Sequence, residues 1–318
     1  MEYILNKSPI RTTNNFKVND FKIDLDITET DFNSFEYKNI NIKTEIRNNL
    51  DSKIGLPASK YLYVECIGND LGYLTYDFDN NYLASEIHID SDMIIIFKGD
   101  NALLNTKVVI DSNKDNNVTI INLTSKESKS FISIKNNIKR GIKSTVNFIE
   151  LGGIVKVSNY YSINNGENYF NSLYLGKDSD KIDMNYYIGL NEKNSISKMN
   201  VQGSLSDKSY KSFKGTIDFY EGSSKSIGEE IENCILLSDE SISRSLPMLL
   251  CHEEDVEGAH GVSTGKIDED KLFYLMSRGI NEKDAKKLII NANYNLVIDN
   301  IPNEDIKKLI KEEINKKL

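Results

Sequence analysis

The side chains able to do soft-ligand chemistry in this sequence are its histidines and cysteines, His260 and Cys234 among them. A neutral imidazole binds iron and tolerates a sulfur-rich environment. A thiolate binds iron or accepts sulfur where it is exposed. Of three histidines and three cysteines, two of each fall between Phe213 and Val297, so metal or sulfur chemistry is expected there. Each candidate has a plainer alternative: a histidine hydrogen-bonded in the Gly-rich run Glu257-Gly258-Ala259-His260-Gly261, or a thiol packed as a small hydrophobe.

Two other features attract attention and carry less. Cys251 and His252 are adjacent soft ligands, but neighbours on a strand point to opposite faces and cannot share one ion without a bulge or bend. Gly261-Val262-Ser263-Thr264-Gly265-Lys266-Ile267 resembles a phosphate-binding loop. That loop needs four residues between its glycines and a Ser or Thr after the Lys, whereas this run has three residues and an Ile. The chain is not expected to hydrolyse ATP itself.

The elements that must position these residues are mostly strands. From about Leu74 to Cys251, short β-branched and aromatic segments recur, among them Tyr82 to Ile89, Met93 to Phe97, Val146 to Leu151 and Met184 to Leu190. Gly, Asn and Asp separate them at a spacing that suits a sandwich, a barrel or a stacked β-helix, and spacing alone does not choose. The first 73 residues are mixed and Asn/Asp-rich, with a short helix expected around Phe32 to Asn49 and a break at Pro57. After the strands the period turns helical. Asp268 or Asp270 caps a helix carrying Leu272, Tyr274 and Leu275 inward, closed at Gly279. Asn281 caps a second with Ala285, Leu288, Ile289 and Ala292 on one face, and a third starts near Pro302 with Ile306, Leu309, Ile310 and Ile314 in a stripe.

At 318 residues the chain can bury a stable core without crosslinks, and three scattered cysteines make no disulfide framework, which favours a reducing compartment. No Cys-x-x-Cys is present to form a zinc ribbon or a resident cluster site. The net charge of −9 is interspersed and gives no electrostatic reason to bind nucleic acid or anionic lipid. With no signal-peptide-like start and no apolar run long enough to span a bilayer, a cytoplasmic protein is expected.

Three linked motifs then point to a family. Ala259-His260-Gly261-Val262-Ser263, the Gly265-Lys266-Ile267 link and Leu272 to Ile280 resemble, in order, the C-terminal signature of the SufB/SufD iron–sulfur cluster assembly scaffolds. Phe213-Lys214-Gly215, Ile235 to Asp239 and Ser243 to Pro247 also resemble it, so the good match covers about a third of the chain. The resemblance implies a right-handed parallel β-helix core, here 74–264, between a less regular N-terminal region, 1–73, and a C-terminal helical subdomain, 265–318. It also implies a partnership with a SufB-like scaffold or a second copy, a sulfur donor protein, and a SufC-like ABC ATPase through which alone ATP enters. The helix bearing Phe273, Tyr274 and Arg278 would be the ATPase docking element. His260 would help hold a transient iron–sulfur cluster at a subunit interface, and Cys234 lies near where SufB members carry their assembly cysteine. Gly261 after the histidine is the SufD form, since SufB members usually place Glu there, so a SufD-like, non-enzymatic role is expected. A compact SufB-like homodimer and a non-catalytic all-β interaction protein are the alternatives. A β-helical polysaccharide lyase or hydrolase would need a spaced acid and base pair, which the sequence does not display.

Overall fold

The computed structural model describes residues 2–4, 6, 22–24, 35–51, 56, 58–79 and 82–318. A short antiparallel pair, β1 (Glu2–Ile4) and β2 (Lys22–Asp24), forms its own small sheet, with Ile23 packed against Phe131 and Val157 of the strands that follow. Then come β3 (Phe35–Lys38), β4 (Asn41–Asn48), β5 (Lys60–Ile67), β6 (Gly72–Asp77), β7 (Tyr82–Ile89) and β8 (Met93–Lys98). The chain continues through β9 (Leu103–Ile110), β10 (Asn116–Asn122), β11 (Lys129–Ile138), β12 (Lys143–Glu150), β13 (Val155–Asn164) and β14 (Glu167–Gly176). The last strands are β15 (Lys181–Leu190), β16 (Ile196–Leu205), β17 (Tyr210–Phe219), β18 (Ile227–Leu236), β19 (Ile242–Cys251) and β20 (Glu257–Lys266).

From β5 onward, odd strands stack in one parallel sheet and even strands in the other, making a β-solenoid of eight two-strand turns. Each sheet is in register from turn to turn, so like residues form rows. Val64, Ile87, Val108, Ile134, Tyr160 and Tyr186 make one, facing Leu74, Ile95, Ile120 and Phe148 across the lumen. Stacking is the only way such short strands bury their faces, which is why the punctuation is so regular. Asn101, Asp178, Asn194 and Asp207 take positive φ between these strands, a conformation Asn and Asp tolerate best after Gly. The parallel stack runs from Lys60 to Lys266, starting before the expected boundary at residue 74 and ending just past 264.

The two ends of the tube differ. At the first, β3 and β4 pair antiparallel with β6 and β5 as mostly exposed edge strands. The expected helix over Phe32 to Asn49 is therefore corrected: residues 32–34 and Pro57 lie outside the described residues, and the remainder forms two strands with a turn at Asn39. Pairing with β5 outweighs whatever helix preference Asn41 to Asn48 has alone. At the other end, β19 and β20 are the last strands of their sheets, and among the described residues no strand covers them.

Three helices follow, α1 (Glu269–Ser277), α2 (Glu282–Ile298) and α3 (Glu304–Lys317), capped by Asp268, Asn281 and Asn303. The latter two pack on the outside of the even-strand sheet, where Ile121, Ile149, Leu173 and Leu175 meet Ile290, Tyr294, Val297, Ile310 and Ile314. That cover makes the strands apolar on both faces and explains the unbroken run Met93 to Phe97. Ala285, Ile306, Ile310 and Ile314 are buried as expected. Leu288 is half exposed and Ala292 exposed instead: the solenoid takes the stripe through Ile290 and Tyr294, turning Leu288 and Ala292 toward α1. Tyr274, expected inward, is also exposed, because α1 buries no residue at all.

Candidate functional site

The open end is built from the last two turns. On β18 the lumen-facing row is Gly228, Glu230, Glu232 and Cys234. The Cβ that Gly228 lacks would meet Ile217 and Phe219, which fixes the inward parity. In-register pairing lays Gly258, His260, Val262 and Thr264 of β20 directly over these four. Across the lumen, Ser243, Ser245, Pro247 and Leu249 of β19 lie over Lys211, Phe213, Gly215 and Ile217. His260 therefore faces what would be the next turn's interior, and with no next turn it is exposed. Val262 and Leu249 beside it are only half buried, so the rim is partly apolar.

One turn down, the lumen holds a buried polar layer. Lys211 and Glu232 form an ion pair with both side chains fully buried. The Lys211 ammonium also donates to Ser245 Oγ at 2.7 Å, and the Tyr174 hydroxyl donates to Glu232 Oε1 at 3.0 Å. Gly203 makes this possible, since a Cβ there would run into the Tyr174 ring. Glu230 is fully buried with neither carboxyl oxygen hydrogen-bonded, and burial, then the Glu232 charge, pushes its pKa up to about 8. Gly215 opposite leaves room for it, as a Cβ would collide with the Glu230 carboxyl.

Cys234 lies in this layer, 3% exposed, and burial raises its thiol above the ordinary value despite the opposing pull of Lys211. The exposure that sulfur acceptance would require is not met in this chain alone. Nor does the fold bring Cys234 to His260: the thiol sits below Thr264, four residues along from the histidine, or about 13 Å at strand rise. Cys251 ends β19 and is exposed, and His252 just beyond it places Nε2 3.6 Å from Asp218 Oδ1. The loop-like run from Gly261 to Lys266 is strand β20, not a phosphate-wrapping turn. Among the described residues no group of three His, Cys, Asp or Glu side chains is arranged to hold a metal ion.

Phe273 and Tyr274 on α1 are 73% and 56% exposed, with the Arg278 guanidinium 5.2 Å from the Tyr274 ring. Between α1 and α2 runs a groove of about 790 Å³ lined by Tyr274, Leu275, Leu288, Ile289 and Ala292 among others. Sequence reasoning missed Lys211, Glu230 and Glu232. The available signal was the alternation Gly228, Glu230, Glu232, Cys234, a strand face shared with a thiol.

Deeper in the same lumen row, Glu150 keeps only the Asn122 amide, at 2.6 Å, and burial pushes it from an ordinary 4.5 up to about 8. Between those values the unfolded chain has released this proton while the folded chain retains it, so stability falls as pH rises through the window. Glu150→Gln is expected to flatten part of that fall, read as urea unfolding free energies at pH 5 and pH 8. Equal slopes for the two proteins would count against it.

Comparison with known proteins places these features in a family. A family model described as SUF system FeS cluster assembly, SufBD core domain, matches residues 78–293. The iron–sulfur cluster assembly protein SufD of Bacillus subtilis (strain 168) is 33% identical over 116 residues, 36% of this chain and 26% of that protein. Its Escherichia coli (strain K12) namesake is 30% identical over 171 residues, 53% of this chain and 40% of the relative. A SufBD family protein of Pyrococcus horikoshii is 38% identical over 81 residues, 24% and 18% of the two chains. The matched segments thus span less than half of each relative. With the family model covering most of the solenoid and α2, this chain belongs to the SufBD family of iron–sulfur cluster assembly proteins and is SufD-like within it.

Proposed function

We propose that this chain is a non-enzymatic scaffold component of an iron–sulfur cluster assembly complex, pairing with a SufB-like scaffold through its open end and docking a SufC-like ABC ATPase on its helices. The observation that carries this reading is His260, exposed on the lumen face of the final turn, whose two ten-residue strands are sheet edges uncovered by any other strand among the described residues. Unpaired edges of that length are an association hazard unless a partner uses them, and a second solenoid end would continue both sheets. The nascent cluster is cargo at that junction, with His260 as a nitrogen ligand from this side and the sulfur supplied by a donor protein. The exposed aromatic face of α1 and its groove with α2 offer the ATPase an anchor of the kind that dominates interfaces.

Co-expression with a SufB-like protein and a SufC-like ATPase from one genome tests this. A complex containing all three is expected. Val262→Lys, which puts a charge on the half-buried rim, should remove the SufB-like partner and keep the ATPase, while Phe273→Ala should do the reverse. A second copy of this chain in place of the SufB-like protein would favour the homodimeric alternative. Recovery of the chain free of both partners would remove the scaffold reading.

A further inference from the structure

The lumen contains one carboxyl group that the fold does not use. Glu232 is balanced by Lys211 and Tyr174, but Glu230, two residues away on the same face, is completely enclosed and has no hydrogen-bond donor. A buried polar group in that state destabilises the fold, and a Leu or Met would fill the space without that penalty. The surroundings are shaped to accept it. In the row that carries Tyr160 and Tyr186, the next residue is Gly215, and the Glu230 carboxyl occupies the place its side chain would take.

Directly above Glu230 in the parallel register stands His260, on the same lumen face, with strands about 4.8 Å apart. One ligand lies just inside the tube and the other at its rim, open to solvent. Imidazole nitrogen with carboxylate oxygen suits a divalent first-row ion such as Fe(II), while the thiol of Cys234 lies well along the strand from both. With only two protein ligands, the remaining coordination positions would fall to water or a partner chain. An ion held in that way is easily passed on, unlike one in a closed four-ligand structural site.

We propose that Glu230 is a metal ligand that receives a divalent iron ion together with His260 at the open end of the solenoid. The inference rests on the assignment of His260 to cluster assembly and goes further by naming Glu230 as a second ligand from the same chain.

The full chain, kept anaerobic, is titrated with Co(II) alone as an oxygen-stable stand-in for Fe(II), following d–d absorption and heat. The wild type should bind one ion, and Glu230→Gln and His260→Ala should each weaken binding at least about ten-fold. Glu229→Gln, on the outer face where Glu229 pairs with Lys198 at 3.3 Å, should bind as the wild type does. Glu230→Leu guards against misfolding: it should unfold at a higher temperature than the wild type yet lose the ion equally. Undiminished binding in either folded Glu230 variant overturns the proposal, as does a wild-type chain that binds no Co(II). The scaffold reading is judged separately, by partner co-purification, and survives both results.

Discussion

Lys211→Met is expected to lower the free energy of unfolding by about 3–5 kcal/mol, the largest loss from any single lumen substitution considered. Both partners of its ion pair are fully buried, so the cost is not softened by water. Removing the ammonium leaves Glu232 with only the Tyr174 hydroxyl and strands it beside Glu230, a second carboxyl with no donor. Ser245 also loses its partner at 2.7 Å, which loosens β19 at the rim. Lys211→Met combined with Glu232→Leu should recover most of the loss, because an apolar pair in a packed lumen needs no compensating charge. Urea unfolding at neutral pH closes the cycle. A single-mutant loss below about 1 kcal/mol would mean that water reaches this layer.

Much of the solenoid is legible in the sequence, for a physical reason. Tyr82 to Ile89 is the same segment in both readings, since each turn must return to the same register and needs an Asn, Asp or Gly to do so. The helix caps at Asp268 and Asn281 follow equally from local chemistry. Less is legible where one residue's environment is set by a distant turn. In β18, Gly228-Glu229-Glu230-Ile231-Glu232 looks like a solvated strip of charge, yet Glu229 points outward while Glu230 and Glu232 are enclosed. Only Lys211 and Tyr174, on other turns, turn Glu232 into an interior residue. Leu288 on α2 fails similarly: the helical stripe was visible, but the solenoid surface chooses which part of it to cover. His260 was found by its motif. That it stands over Glu230, and not beside Cys234, required the register.

His260→Ala is expected to cut iron and sulfide assembled on the complex by at least about ten-fold while leaving the thermal midpoint within a few degrees of the wild type. The structural half of this expectation follows from exposure. His260 caps no helix and is exposed on an edge strand, where losing an imidazole removes no core contact. The functional half follows from chemistry: the imidazole is the only His side chain on the lumen face of the last turn, and Ala offers no lone pair to iron. Cys234→Ser provides the contrast. Its thiol is buried and raised in pKa, so it is a poor sulfur acceptor as placed, and Ser would leave assembly largely intact at a modest cost in stability. If Cys234→Ser were the more damaging change, the lumen would have to open during assembly and the chain would work as a compact SufB-like scaffold. If both variants, and the pair combined, assembled iron and sulfide at the wild-type level, this chain would contribute no ligand and would serve only to position its partners. Each complex is reconstituted anaerobically with the SufB-like and SufC-like proteins, and iron, sulfide and unfolding midpoint are read on the same preparation.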